Sequence, residues 1–326
     1  MKSMRFVAVA PVAAGCLMLG ALAAPANAEM VGIGTTKSTA VAQMTAAISK
    51  VVSEHSGLQM RTQAMGGTQQ YIPVVNDGQL DFGVGNMFQT YQAFAGLGLS
   101  AGHKYDNLRL VATLMPFSTG LVTPVKGNVR KVADLKGKRI PYGFKAAPLF
   151  QTFMEGFLAD GGLTMADIEQ VPCVGLRQSW EMLMQGKVDA VISAAGSAGN
   201  KEMDTKIDGG VRYVDFDPSG PGAKKTLEML PKTYFVELNP SPQTPVVKEK
   251  IHIIGYDFML WAYKGVPDEV VMKVVKALYD HADEVKASSA IWREWNPKQI
   301  AKDQGPGMEY HPGAIAFYKT AGVWKH

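Results

Sequence analysis

The sequence has few cysteines, few charged residues and no basic runs. Of its 326 residues only Cys16 and Cys173 are cysteines, which excludes a disulfide framework. Charged residues make up 19% and hydrophobic residues 47%, a balance that excludes a disordered chain. Lys2 and Arg5 lie in the N-terminal segment described next, which has the pattern of an export signal. Without them the chain has 31 basic residues instead of 33, against 29 acidic ones. A chain this balanced is not expected to bind nucleic acid through counterion release.

The first 28 residues have the pattern of an export signal. Lys2 and Arg5 form a positive n-region, and residues 7–22 are largely apolar. The tripeptide Ala-Asn-Ala at 26–28 is a small-x-small cleavage site. This pattern predicts a signal peptide over residues 1–28.

Two alternatives to cleavage are a transmembrane anchor and lipidation at Cys16. The apolar run is short and contains Pro and Gly, which favours a cleaved signal. The mature chain then starts at Glu29 in a bacterial periplasm. No later run of about 18 apolar residues follows, so we expect the mature chain to be soluble.

The rest of the chain contains the same α/β pattern twice. In each half a short apolar strand ends in glycine, and strand and helix patterns alternate up to a Gly-x-x-Asp segment. Three landmarks recur at an offset of 108 or 109 residues: Gly34 and Gly143, Gly67 and Gly175, and Asp81 and Asp189. The fold class is therefore α/β, with two similar lobes and a ligand cleft between them.

The repeat also predicts how the chain is divided. We expect a first lobe of residues 29–120 plus 253–326 and a second lobe of residues 121–252. A strand is expected at 108–114, crossings between the lobes at 120–125 and 251–263, and a loop over 217–250, which holds six prolines. Loops after parallel strands gather at the carboxyl edge of a sheet, and the helix N-termini beside them favour an anion in the cleft.

Motifs of catalysis and cofactor binding are incomplete. Gly32 and Gly34 begin a dinucleotide-type pattern, but Lys37 takes the third glycine position. The sequence has no P-loop, and the glycines around Ser197 lack the Gly-x-Ser-x-Gly spacing. Its six histidines are scattered, none at metal-ligand spacing with another. We therefore expect no enzyme activity, no cofactor and no metal site.

Several segments, taken in order, resemble the solute-binding subunit of TRAP transporters of the TAXI type. They are VGIGT at 31–35, GGT at 66–68, LDF at 80–82, VADLKGK at 132–138 and GKVDA at 186–190. The resemblance extends to about residue 290, and Asn86 and Tyr91 match family positions. It implies a type II periplasmic binding protein, a monomer that captures a small organic acid and delivers it to the membrane subunits of a TRAP permease.

Two loops differ from the family pattern. Residues 35–39 read TTKST where the family is rich in glycine, and residues 146–149 read AAPL where the family carries GSGT. The resemblance implies a dicarboxylate, a 2-oxo acid or an amino acid such as glutamate as ligand. The bulk of both loops leaves an aromatic or branched acid as an alternative.

Loop and strand-end residues are the candidates for the pocket. Lys37 and Lys145 occupy equivalent loops, and Arg177 could bind a carboxylate bidentately, although each could instead be solvated. Polar residues could bind the ligand or cap helices: Thr35, Ser38, Thr68, Asn86 and Ser197. Aromatic residues could form apolar walls or belong to the core: Phe88, Tyr142, Phe144 and Tyr256.

Two other functions fit the same fold. One is the binding component of an ABC importer, which shares the fold and the ligand logic. The other is a hydrolase that uses the same cleft, although the incomplete catalytic motifs argue against it.

Overall fold

The structure is a computed structural model that describes residues 28–37, 40–242 and 244–325. The signal peptide predicted over residues 1–28 lies almost entirely outside the described residues, and so does Ser38. The strands are β1 (Glu29–Thr36), β2 (Leu58–Met65), β3 (Phe82–Asn86), β4 (Leu108–Pro124), β5 (Arg139–Gly143), β6 (Glu169–Cys173), β7 (Val191–Ala194), β8 (Val211–Tyr213), β9 (Tyr234–Leu238) and β10 (Ile251–Tyr263).

Helices alternate with these strands through most of the chain. They are α1 (Ala40–His55), α2 (Thr68–Asn76), α3 (Met87–Ala95), α4 (Leu149–Asp160), α5 (Leu176–Met184), α6 (Ala198–Lys206), α7 (Ala223–Met229), α8 (Asp268–Asp280), α9 (Ala282–Ser288) and α10 (Pro312–Thr320). No helix among the described residues is both long and apolar enough to cross a bilayer.

Apolar spacing determines which faces of the helices are buried. In α1 the residues at spacings of three and four that the sequence singles out, from Val41 to Val51, are buried. In α8 the valines from Val270 to Val275 and Leu278 are buried in the same way. The predictions of these two helices are confirmed.

Most strands belong to one mixed sheet of eight strands. Its order is β2-β1-β3-β10-β4-β7, with β8 beside β4 and β9 beside β10. Strand β1 runs parallel to β2 and β3, whereas β10 runs antiparallel to β3 and β4. A separate parallel pair consists of β5 and β6.

Two long strands, β4 and β10, pass from the expected first lobe into the second. Near its start β4 pairs with the end of β10, as Leu108 does with Tyr263, and near its end it pairs with β7 and β8. Strand β10 pairs with β9 through residues 251–255 and with β3 through residues 258–262. These two paired strands connect the segments that form the two expected lobes.

The sequence predicts a strand at 108–114 and a separate crossing at 120–125, but the structure has one continuous strand, β4, over both. It runs through Pro116, which has no N–H to donate to the ladder. Pro116 pairs with Asp257, and the register between the two strands shifts directly after this pair. The irregularity accommodates the proline without ending the strand.

The expectation of a loop over residues 217–250 is wrong, because α7 and β9 both lie in it. Strand β9 pairs antiparallel with β10 over five residues. The prolines lie before, between and after the two elements, where no backbone N–H is required: positions 218, 221, 231, 240, 242 and 245.

The chain after β10 packs on the first lobe. Helix α8 contacts α1, and α10 contacts α8. The N–H of Leu110 donates to the carbonyl of Glu309 at 2.8 Å. One contact also reaches the second lobe, since the Lys232 ammonium donates to the carbonyl of Gln304 at 2.7 Å.

Candidate functional site

The two halves repeat down to single hydrogen bonds at their strand ends. After β2, the N–H of Gly66 donates to the side-chain carbonyl of Gln70 at 2.8 Å. After β6, the N–H of Val174 donates to the side-chain carbonyl of Gln178 at 2.7 Å. The donor and the acceptor of the second hydrogen bond lie 108 positions after those of the first. Each half therefore forms the same turn between a strand and a helix.

A glycine starts the helix after each of these turns. Gly67 precedes α2 and Gly175 precedes α5, and both are fully extended. Within the described residues, neither helix receives a side-chain cap at this end. A Cβ at Gly67 would meet no atom within 4 Å among them. Both helix N-termini therefore carry N–H groups with a partial positive charge, and the space beside Gly67 is open.

The repeated aspartates hold the strands rather than a ligand. Asp81 accepts from the N–H of Gly32 at 2.7 Å, and Asp189 accepts from the N–H of Arg139 at 2.8 Å. The Arg139 guanidinium also pairs with Asp189 at 2.7 Å. Burial acts to raise the pKa of Asp189, but the hydrogen bonds and charge of Arg139 outweigh it, so the pKa lies below its usual value.

Aromatic rings from both expected lobes pack together. Phe88 of α3 packs against Phe153 of α4 with ring centroids 5.5 Å apart. Phe153 also contacts Tyr256 of β10 at 5.6 Å, and Phe117 of β4 contacts Tyr256 and Phe258 at 5.7 and 5.2 Å. These five residues, the inter-lobe aromatic cluster, are apolar apart from one hydroxyl group.

That hydroxyl belongs to Tyr256, whose side chain is 7% exposed. It forms no hydrogen bond with any residue that the structure describes. Burial raises the pKa of Tyr256, so the hydroxyl stays protonated at neutral pH. Among the described residues this donor has no acceptor, and its ring belongs to the inter-lobe aromatic cluster.

Two of the predicted polar residues are helix caps. Asn86 precedes α3, and its side-chain oxygen accepts from the N–H of Gln89 at 2.8 Å. Ser197 precedes α6, and its hydroxyl accepts from the N–H of Asn200 at 3.2 Å. They stand at equivalent ends of β3 and β7, so capping accounts for both without a ligand.

The two predicted threonines are buried and have protein partners. The hydroxyl of Thr35 lies 2.5 Å from that of Thr45 in α1. The hydroxyl of Thr68 lies 3.1 Å from that of Tyr71 one turn along α2. Both residues lie at the cleft edge of the first lobe, where their side chains fix the helices that follow β1 and β2.

The structure places Arg177 in a surface ion pair. Its guanidinium binds Glu202 of α6 through two nitrogens, at 2.5 and 3.0 Å, and Glu181 at 3.0 Å. The side chain is 59% exposed. Hydrogen bonds from Arg177 and then Lys206 lower the pKa of Glu202 to about 2, so these charges are already paired. A ligand carboxylate would have to displace Glu202.

The remaining candidates lie at the surface. Three candidates are exposed: Lys37, Tyr142 and Lys145. Among the described residues, no lysine belongs to the inter-lobe aromatic cluster. Phe144, beside Lys145, is fully buried with φ +35°, a conformation rare for a residue with a side chain. It packs against Phe150 at 6.1 Å, which holds the loop after β5 in place.

Sequence reasoning missed Phe117, Phe153 and Phe258 as site residues. Phe153 has the spacing of a core position in α4, and the other two lie inside long apolar strands. Only the tertiary contacts of Phe153 with Phe88 of α3 and Tyr256 of β10 reveal that these rings meet. No local pattern in the sequence distinguishes them from core residues.

Two surface depressions lie elsewhere on the molecule. One, of about 400 Å³, is lined by residues 303–324, including Tyr310 and Trp324. The other, of about 460 Å³, is lined by residues around Tyr91 and Arg109. Neither includes a residue from the loops that follow the parallel strands, so the strand ends and the inter-lobe aromatic cluster remain the candidate site.

Comparison with known proteins relates these features to a family and a fold. A family model described as the NMT1-like family matches residues 33–322. A TctC solute binding protein from Polaromonas is similar in structure, with TM-score 0.56 at 12% identity over 92% of this chain and 99% of that chain. The periplasmic aliphatic sulphonate binding protein SsuA from Escherichia coli is similar with TM-score 0.51 at 14% identity, over 90% and 88%. These likenesses confirm the predicted α/β fold of periplasmic binding proteins.

Proposed function

Because this chain belongs to the NMT1-like family, we propose that it is a periplasmic solute-binding protein that closes its two lobes on a small organic acid. The observation that carries the proposal is the pair of helices, α2 and α5, whose N-termini begin at extended glycines without a side-chain cap. They stand at repeat-equivalent strand ends, one in each lobe. Uncapped N–H groups and the helix dipoles favour an anion there.

The body of the acid is proposed to be apolar or aromatic. The inter-lobe aromatic cluster supplies rings at the base of the cleft, and the Tyr256 hydroxyl supplies one donor. Backbone N–H groups suit the binding of the acid group better than a clamp of basic side chains, because Lys37 and Lys145 are exposed and Arg177 is already paired. An aromatic or branched acid fits these surroundings better than a straight dicarboxylate.

The delivery partner is proposed to be the membrane permease of a TRAP transporter. The ordered segments of the TAXI type support this partner, and the TctC protein of Polaromonas is itself a solute binding protein of the same fold. We place the lobes at residues 29–120 plus 253–326 and at 121–252. Residues 1–28 are proposed to direct export, after which the mature chain acts as a receptor and not as an enzyme.

The ligand class is tested by melting the purified mature chain with matched pairs of solutes. Each pair is an acid and its primary amide: aromatic, branched, dicarboxylic, 2-oxo and amino acids. We expect an aromatic or branched acid to raise the melting temperature and its amide not to. Stabilisation by the amide as strongly as by the acid would contradict anion binding. Recovery of the acid unchanged after incubation would support a receptor, whereas turnover would support the hydrolase.

The permease type is tested by uptake of that acid in cells that make the protein. We expect an ionophore that collapses the ion gradient to abolish uptake while cellular ATP is maintained. Uptake that persists under these conditions would instead indicate an ABC importer.

A further inference from the structure

Two histidines and a glutamate meet on the first lobe, away from the cleft. His55 is the last residue of α1, His281 lies between α8 and α9, and Glu284 is in the first turn of α9. The imidazole rings stack with centroids 3.5 Å apart and planes within 6°. One ligand atom from each of the three residues lies within 4.8 Å of the other two.

The geometry points to a metal site, and we propose that His55, His281 and Glu284 bind Zn²⁺. Two imidazole nitrogens and a carboxylate oxygen are donors that Zn²⁺ prefers, with water as the fourth ligand. At Zn–ligand distances of about 2.0–2.2 Å, tetrahedral ligands lie about 3.4 Å apart. Nε2 of His55 is 2.8 Å from Oε2 of Glu284, and the stacked imidazole planes have to turn apart for a nitrogen of each ring to face the same ion.

The helices around these residues favour a cation. Helix α1 has 16 residues and ends at His55, and α8 has 13 residues and ends directly before His281. The carboxyl end of a helix carries a partial negative charge. Two such ends meet at the imidazoles and favour a positive ion there, whereas the N-terminus of α9, which begins directly after His281, opposes it.

Glu284 is held in an orientation suited to a metal ligand. Its Oε1 pairs with the Lys50 ammonium, while Oε2 is the atom next to His55. With Oε2 on the metal and Oε1 on Lys50, the lysine becomes an outer partner that orients the ligand.

The sequence alone excluded this site, because the two histidines are far apart along the chain. The packing of α1 against α8 and α9 brings them together. Bound Zn²⁺ would link the end of α1 to the junction of α8 and α9 and so brace the first lobe. This role is independent of the solute and of the permease.

The test uses the untagged mature chain, freed of metal with a chelator and titrated with Zn²⁺ by calorimetry. We expect one Zn²⁺ to bind per chain and the melting temperature to rise. Removal of one ligand, in His281→Ala or Glu284→Gln, should weaken Zn²⁺ binding by at least about tenfold. His103→Ala, which changes an exposed histidine elsewhere, is the matched control and should bind as the parent does.

A loss of packing is separated from a loss of metal binding by two further measurements. Metal-free melting reports how far each variant is destabilised before Zn²⁺ is added. Co²⁺ in place of Zn²⁺ should give the visible absorption of a tetrahedral site in the parent and His103→Ala but not in His281→Ala. Equal Zn²⁺ affinity in the parent and in a His55→Ala/His281→Ala double variant would overturn the proposal, as would an equal loss in His103→Ala.

Discussion

Phe88 of α3 packs directly against Phe153 of α4, with their ring centroids 5.5 Å apart. Both rings are almost fully buried. Each lies in a helix that follows a parallel strand, α3 after β3 and α4 after β5. The contact therefore couples the two lobes at the base of the proposed cleft.

This coupling is measurable in a double-mutant cycle. We expect Phe88→Ala and Phe153→Ala each to lower the free energy of unfolding by about 3–5 kcal/mol. Their interaction energy should be about 0.5–1.5 kcal/mol, the usual value for an aromatic pair. Urea unfolding measures all four proteins. Phe317, which packs on Tyr279 and Tyr318, supplies the control cycle with Phe88 and should show no coupling.

Tyr256→Phe should separate stability from affinity. The ring and its contacts remain, and the hydroxyl that is removed has no partner among the described residues, so the unliganded protein should be about as stable as the parent. If the hydroxyl donates to the acid, calorimetry should show about 10- to 100-fold weaker binding. Tyr234→Phe is the comparison, because the Tyr234 hydroxyl donates to Asp257. That variant should lose stability and keep its affinity.

An added methyl group should lower the affinity for the acid at Gly67 and the stability of the fold at Gly83. At Gly67 a Cβ meets no described atom within 4 Å and the backbone is extended, so Gly67→Ala should change stability by less than about 0.5 kcal/mol. Affinity for the acid should fall by at least about tenfold, because the methyl group occupies ligand space. At Gly83 a Cβ would overlap the Trp261 ring, so Gly83→Ala should cost about 1–3 kcal/mol. Melting and calorimetry on both variants decide the matter, and an unchanged affinity in Gly67→Ala would argue against an anion at α2.

Arg177→Ala should have little effect on binding. The guanidinium is exposed and bound to Glu202 and Glu181, so its loss should change the affinity by less than about threefold. Calorimetry with the acid identified above provides the measurement. A larger loss would mean that Arg177 leaves Glu202 to bind the acid, as the residue pattern alone suggested.

Asp160 should make the protein less stable as the pH rises. Burial raises its pKa to about 6, the N–H of Asp217 opposes this by donating to it, and the charges of Asp217 and Asp215 add to the rise. A folded pKa above the ordinary 3.8 means that stability is greatest below that value and is lost as the pH passes 6. Asp160→Asn should therefore be more stable than the parent by about 1–2 kcal/mol at pH 8 and equal to it at pH 4. Urea unfolding of the parent and of Asp160→Asn at pH 4 and pH 8 measures the difference.

The sequence by itself determined the repeated α/β plan, because that plan rests on local signals. Apolar spacing buries one face of α1, and a glycine begins α2. The equivalence of Gly67 with Gly175 and of Asp81 with Asp189 needed only an offset along the chain. The same turns and the same aspartate contacts then form in both halves.

Only the tertiary structure decided which side chains meet. Arg177 has the position of a ligand-binding residue, but the packing of α5 beside α6 gives it Glu202 as a partner. Phe153 has the spacing of a core residue, but α4 lies against β10 and places its ring between the lobes. His55 and His281 are unrelated in sequence and stack because α1 packs on α8. Such pairings depend on contacts between distant segments, and a linear pattern holds no information on the direction in which each side chain leaves its helix.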